Sequence, residues 1–159
     1  MTGIILPLLA LIGTFYQLYL QRVHNEKSLR PLVQIDLTDH ERLLYVHVQN
    51  NGVGPYIVER LVFFKDDKTY FNIEDCLDLS PRTYQHISVT ETVKKVVPPG
   101  MFLQVFSHRF DEKCSDQEIN DVRQQLAVLK LKVEGRDIYN NRITAKRELS
   151  WFMRHGVSE

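Results

Sequence analysis

From Gly3 to Leu20 the chain runs eighteen residues without a charge, GIILPLLALIGTFYQLYL. At a 1.5 Å rise they form a helix of about 27 Å, close to the hydrocarbon thickness of a bilayer. Pro7 falls in the first turns, where a missing N–H does least harm. Thr14 and Gln17 are the polar side chains of the stretch, so it lacks the polar face of a core helix. Phe15, Tyr16 and Tyr19 gather at its C-terminal end, as aromatic rings do at a membrane interface. A cleaved signal peptide would open on basic residues, whereas this chain opens Met1-Thr2-Gly3. The pattern predicts an N-terminal single transmembrane α-helix.

The pattern then changes period. Pro31–Leu37 and Leu43–Val48 alternate as strands do, with Leu44, Val46 and Val48 on one face and Tyr45 and His47 on the other. Asn50-Asn51-Gly52-Val53-Gly54-Pro55 is a turn leading into an apolar strand, Tyr56–Lys65, and Asp66-Asp67-Lys68 turns again into Thr69–Phe71. Asn72–Leu79 suits a short helix or loop, and Tyr84–Val89, Thr92–Val97 and Met101–Phe106 suit strands. Ser115 with Glu118 three residues on is a capping-box signature, and Ile119, Val122 and Leu126 continue at helical spacing, so Ser115–Leu126 is expected as a helix. Val128–Glu134 alternates cleanly, and Asn140-Asn141 marks a hairpin tip before Arg142–Leu149. The expected fold is a membrane anchor with a basic juxtamembrane segment over residues 1–30, then a mainly β domain over 31–159. That domain should be an antiparallel sandwich or barrel with one or two short helices.

Charge adds direction. Lys and Arg number 20 against 20 Asp and Glu, so global charge favours no polyanion. Locally, Arg22, Lys27 and Arg30 follow the apolar stretch against one acid, Glu26. Such an excess marks the cytoplasmic flank, so the N-terminus is expected outside the inner (cell) membrane and the β domain in the cytoplasm. Cys76 and Cys114, which lack metal-ligand spacing, are then expected as reduced thiols. Gly13 and Gln17 lie four apart on one helix face, a small residue beside an amide, which suits helix–helix contact in a homo-oligomer and equally lipid exposure with Gln17 reaching towards the interface.

Chemistry is sparse. There is no nucleophile elbow, phosphate-binding glycine loop, zinc-protease motif or paired CxxC, and no motif implies a cofactor. His24, His40, His47, His86, His108 and His155 show no local metal spacing, so no metal site and no catalytic residue is assigned. Glu74, Asp75 and Asp78 around Cys76 read as a solvated acidic face, and His108-Arg109 as a strand end. One region is basic. Lys130, Lys132, Arg136, Arg142, Lys146, Arg147 and Arg154 stand against Glu134, Asp137 and Glu148, with Tyr139, Trp151 and Phe152 interleaved. Such a mixture suits phosphates with stacked bases, and equally an anionic membrane surface or a plain solvated hairpin. The candidate ligand set is Arg136, Arg142, Lys146 and Arg147 for phosphates, with Tyr139 or Trp151 for stacking.

The order of anchor, R-P-L-V opening strand, N-N-G-V-G-P turn and late L-K-V-E-G-R-D-I-Y-N-N-R hairpin resembles that of small bacterial membrane-anchored β-sandwich proteins. Tyr56 stands where those often have Ala after the Gly-Pro, and Asn140-Asn141 where they often have Gly. In overall plan the chain also resembles a small membrane effector of type III CRISPR systems. That resemblance implies binding of cyclic tetra-adenylate by the cytosolic domain, a tetramer, and a part in antiviral defence, but carries over no binding residues. Two functions are therefore weighed: a ligand-gated membrane effector binding a cyclic oligoadenylate, and a non-enzymatic tethered scaffold binding a protein partner. An enzyme ranks last, for want of a catalytic constellation. Fused after Glu159, a cytoplasm-dependent reporter is expected to be active and an export-dependent one silent; the reverse pattern would invert the orientation.

Overall fold

In a computed structural model of the chain, which describes residues 2–90 and 92–155, a 27-residue helix α1 (Thr2–Ser28) precedes the β domain. Its segment Ile4–Ser28 is long and apolar enough to cross a membrane, and none of its apolar window is buried in the chain's own core. The helix runs past Leu20 through the whole basic segment. Nothing from Gln21 to Ser28 breaks a helix, an Arg22–Glu26 pair at i, i+4 (3.2 Å) supports it, and Pro31 is the first residue to forbid continuation.

Eight strands follow: β1 (Val33–His40), β2 (Leu43–Asn50), β3 (Tyr56–Lys65), β4 (Lys68–Tyr70), β5 (Lys95–Val97), β6 (Phe102–Arg109), β7 (Lys130–Arg136) and β8 (Arg142–Glu148). They form two antiparallel sheets, β1-β2-β6 and β4-β3-β7-β8, with β5 paired to the first half of the β3 edge whose second half carries β4. Glu41-Arg42 and Asp66-Asp67 take positive φ in two-residue turns, the geometry that follows the twist of a hairpin. Helix α2 (Asp116–Ala127) starts on the expected capping box: Ser115 Oγ accepts from the Glu118 amide, and the Glu118 carboxylate accepts from the Ser115 amide.

The alternation seen in the sequence builds the core. Ile35, Leu37, Leu44, Val46, Val48 and Val105 from one sheet face Tyr56, Val58, Leu61, Phe63, Leu131 and Val133 from the other. Ile119, Val122 and Leu126 of α2, with Leu149 and Phe152, close one end. Arg123 fixes α2 there through a two-pronged pair with Asp39 (2.7 and 2.8 Å), whose side chain is 4% exposed. The 72–79 segment forms only a short 3-10 turn, Ile73–Asp75. Tyr84–Val89 forms no strand: Gln85 makes a single bridge to Ser107, while Tyr84 is buried against Phe106. Its burial comes from side-chain packing rather than from a hydrogen-bonded ladder.

At the other end, where α1 enters, one side chain joins the parts. Asn50 closes β2 and is fully buried. Its Oδ1 accepts from the amides of Leu32 (3.3 Å) and Gly52 (3.0 Å), and its Nδ2 donates to the carbonyls of Gly54 (2.8 Å) and Val97 (3.0 Å). All four hydrogen-bonding positions of the amide are used. The same turn presses on the helix exit, since a Cβ on Gly54 would lie 1.7 Å from the Leu29 carbonyl oxygen. Asn50→Ala is expected to lower the stability of the full chain in micelles by about 3 kcal/mol, because it strands buried amides and carbonyls. Asn51→Ala, whose side chain is exposed, should cost under ~0.5 kcal/mol. Urea unfolding followed by Trp151 fluorescence measures both, and equal effects would contradict the role given to Asn50.

Candidate functional site

A β-bulge shapes the outer face of the larger sheet. The β3–β7 register slips between Val58 and Arg60, so Val58 and Leu61 both point inward and Glu59 and Arg60 both lie on the outer side. Across β7 the outward positions are Lys132, Glu134 and Arg136; on β8 they are Arg142, Thr144 and Lys146. Glu59, Arg60, Lys132, Glu134, Arg142 and Thr144, with Lys94 from the approach to β5, line a groove of about 570 Å³ on this face. Among the described residues, four cations thus face two carboxylates.

The carboxylates are engaged. Glu59 Oε1 lies 3.0 Å from Lys94 Nζ and 3.2 Å from Arg136 Nε. The hydrogen bond from Lys94, then the charges of Lys94, Arg136 and Arg142, hold its carboxyl below the usual range against the opposing effect of burial. Lys132 pairs with Glu134. Arg136 Nη1 also donates to Asn140 Oδ1 at 2.6 Å. Arg142 forms no hydrogen bond or ion pair among the described residues and meets Glu59 only through longer-range attraction.

Of the sequence-derived ligand set, Arg136 and Arg142 come together as directly paired residues across β7–β8, and Lys146 lies opposite Lys132 on the same face. Tyr139 is half-buried in the turn beyond them, its amide held by Asp137 Oδ1 at 2.9 Å. Arg147 points the other way and donates to the Ile35 carbonyl, tying edge strand β8 to edge strand β1. Trp151 lies beyond the far end of β8, about 20 Å from Arg142 at the rise of a strand. It packs edge-on against Phe152 and its ring is covered by the Arg154 guanidinium 3.3 Å away. Glu59, Arg60 and Lys94 are groove residues that the sequence reading passed over. Two adjacent charges inside the apolar run of β3 were the available sign of a bulge.

Gly13 on α1 has open space over its Cα, and Gln17 lines a shallow depression with Leu20, Gln21 and His24. In the β domain both cysteines are free thiols. Burial pushes the Cys76 thiol up to about 11, unlike an activated nucleophile. Glu74 pairs with His86 beside it. No group of three His, Cys, Asp or Glu side chains able to hold a metal occurs among the described residues.

The smaller sheet carries an aromatic ladder. His47 is stacked between Tyr45 (4.0 Å between ring centres) and Phe102 (4.1 Å). Burial lowers the His47 pKa, against the pull of Asp36 across the β1–β2 ladder, and burial likewise lowers that of His108, packed on Phe110. Compared with known proteins, the chain matches no family and no curated sequence.

Both histidines bind protons less readily folded than unfolded, so protonation favours the unfolded chain. Stability is expected to hold above pH 7, to fall as pH drops through the unfolded value of about 6.5, and to level off below the depressed folded values. Urea midpoints between pH 7.5 and pH 5 measure the fall. The double variant His47→Gln/His108→Gln should flatten it, and an unchanged slope would contradict the assignment.

Proposed function

We propose that the chain is a membrane-anchored sensor or effector whose β domain faces the cytoplasm and binds a phosphate-bearing ligand in the groove of the larger sheet. The observation that carries this reading is the groove itself, whose described lining holds four cations and two carboxylates and in which Arg142 makes no ion pair among the described residues. A phosphodiester supplies charge where this face has an excess of the opposite sign, and guanidinium forks suit its oxygens. The resemblance in plan to the CRISPR effector makes a cyclic oligoadenylate the first ligand to try and antiviral defence the setting. Binding rather than catalysis is the role proposed.

Action on the bilayer requires several copies, because one helix encloses no pore. The face of Gly13, Gln17 and Gln21 is suited to join helices, and a symmetric cyclic ligand fits the axis of a symmetric oligomer such as a tetramer. Ligand binding shifts the membrane helices only as far as it favours one arrangement over another.

A second reading, a tethered scaffold for a protein partner, is favoured by the Tyr45–His47–Phe102 ladder, since aromatic side chains are enriched at interfaces. Calorimetry on the full chain in micelles with cyclic tetra-adenylate separates the two. The proposed function expects binding, a loss of at least ten-fold in Arg142→Glu, and little change in Trp151→Phe. Absence of binding by an oligomeric wild-type chain, with a stoichiometric protein co-purifying, would favour the scaffold.

A further inference from the structure

We infer that the end of the β domain from which α1 leaves is seated on the bilayer surface, with its loop tips inserted among the lipid headgroups. This rests on the reading of α1 as a membrane-spanning helix.

Strand direction defines two poles. The starts of β1, β3, β6 and β8 and the ends of β2, β5 and β7 lie at the pole that α1 enters. Four segments come together there: the helix exit, the β2–β3 turn, the β5–β6 turn and the β7–β8 turn. Each presents a large apolar side chain to solvent, Leu32 at 65% exposure, Val53 at 66%, Met101 at 55% and Ile138 at 50%. Three turns of the opposite pole are charged, Glu41-Arg42, Asp66-Asp67 and Asp111-Glu112-Lys113, while Val128 is exposed on its α2–β7 connection. An apolar tip on every segment of one pole, set against mostly charged turns at the other, makes the two ends of the domain chemically distinct.

The apolar pole is also stiff. The Asn51 amide bonds the Leu32 carbonyl (2.8 Å), the Gly100 amide bonds the Asn50 carbonyl (2.8 Å), and the Asn50 amide bonds the Met101 carbonyl (3.0 Å). Three of the four segments, the helix exit among them, therefore move as one body. Beside them, Lys27 and Arg30 line a cleft of about 280 Å³ between the end of α1 and the Asp137–Asn141 turn, together with Glu26, which pairs with Arg22, and Asp137, which is taken up by the turn's own amides.

What covers this pole follows from its continuity with α1. From Leu20, the end of the uncharged stretch, to Leu29 the helix rises about 13 Å. The headgroup layer of one leaflet is roughly 6 Å thick, and an ordinary tilt of about 20° together with the reach of the side chains brings the tips down to it. Apolar tips partition into that layer and Lys27 and Arg30 attract anionic headgroups. The occupant is thus the membrane that holds α1, reached without any further partner.

The test uses the full chain in vesicles of phosphatidylcholine and phosphatidylglycerol. An environment-sensitive fluorophore is placed on Val53→Cys, Met101→Cys, Val128→Cys and Ile12→Cys, each in a Cys114→Ser background, with Cys76 buried and unreactive. Lipids brominated high on the acyl chain should quench the probes at 53 and 101 at least two-fold more than the probe at 128. Deeply brominated lipids should quench the probe at 12. An unquenched probe at 12 would overturn the spanning reading and the seating with it. Quenching at 12 with 53 and 101 no different from 128 would overturn the seating alone. A blue shift at 53 and 101 without lipid quenching would overturn it in favour of contact with a second copy.

Discussion

Four hydrogen bonds from the buried Asn50 amide join the helix exit, the β2–β3 turn and the end of β5. Asn50 belongs to the smaller sheet and Val97 to the larger, so the same side chain links the two layers at the end where α1 enters. A buried amide is costly unless satisfied, and here every donor and acceptor has a partner, which makes the arrangement specific as well as stable. Gly52 and Gly54 are part of the same constraint. A Cβ at either would meet the Pro31–Leu32 or Leu29 backbone, so the turn closes on the helix exit only because both positions lack one. Any force on α1 is delivered to the β domain through this joint, and any change in the sheets returns through it.

The larger sheet extends from that joint toward the groove. β3 begins just past it, and the bulge at Glu59 comes within its first turn of pleat. Surface ion pairs such as Glu59–Lys94 contribute about 0–1 kcal/mol each, so these side chains exchange partners at little cost. Tyr56 connects groove and core: its ring lies over Gly135, its hydroxyl donates to the Ile143 carbonyl at 3.1 Å, and burial pushes its pKa up. The floor beneath the charged face is thereby pinned to the core.

Much of this architecture was legible in the residues. The uncharged run to Leu20, the Ser115–Glu118 cap, the alternation in β2 and β7 and the apolar run of β3 each express a local rule strongly, and each became the expected element. The continuation of α1 to Ser28 was not legible, because polar residues continue a helix as readily as they leave one until Pro31 intervenes. The absence of a strand over Tyr84–Val89 was hidden because a buried tyrosine looks the same in a sequence whether a ladder or a packed ring buries it. The groove was half legible. The basic run named Arg136, Arg142 and Lys146, which share a face by the strand period, but Arg147 is one residue out of that period and Trp151 lies beyond the strand. Glu59 and Lys132 meet only through the β3–β7 register and its bulge, and Lys94 joins them through the β3–β5 pairing, neither of which sequence spacing expresses.

The central claim is that helix exit and β domain form one mechanical unit through Asn50. Native-state hydrogen exchange on the full chain in bicelles tests it directly at the amides of Leu32, Asn51, Gly52 and Gly100. The account predicts that these four exchange as slowly as the central amides of β2 and β6, although they lie in loops. Exchange at the rate of an exposed turn, such as Asp66-Asp67, would contradict it and leave the β domain loosely tethered to its helix.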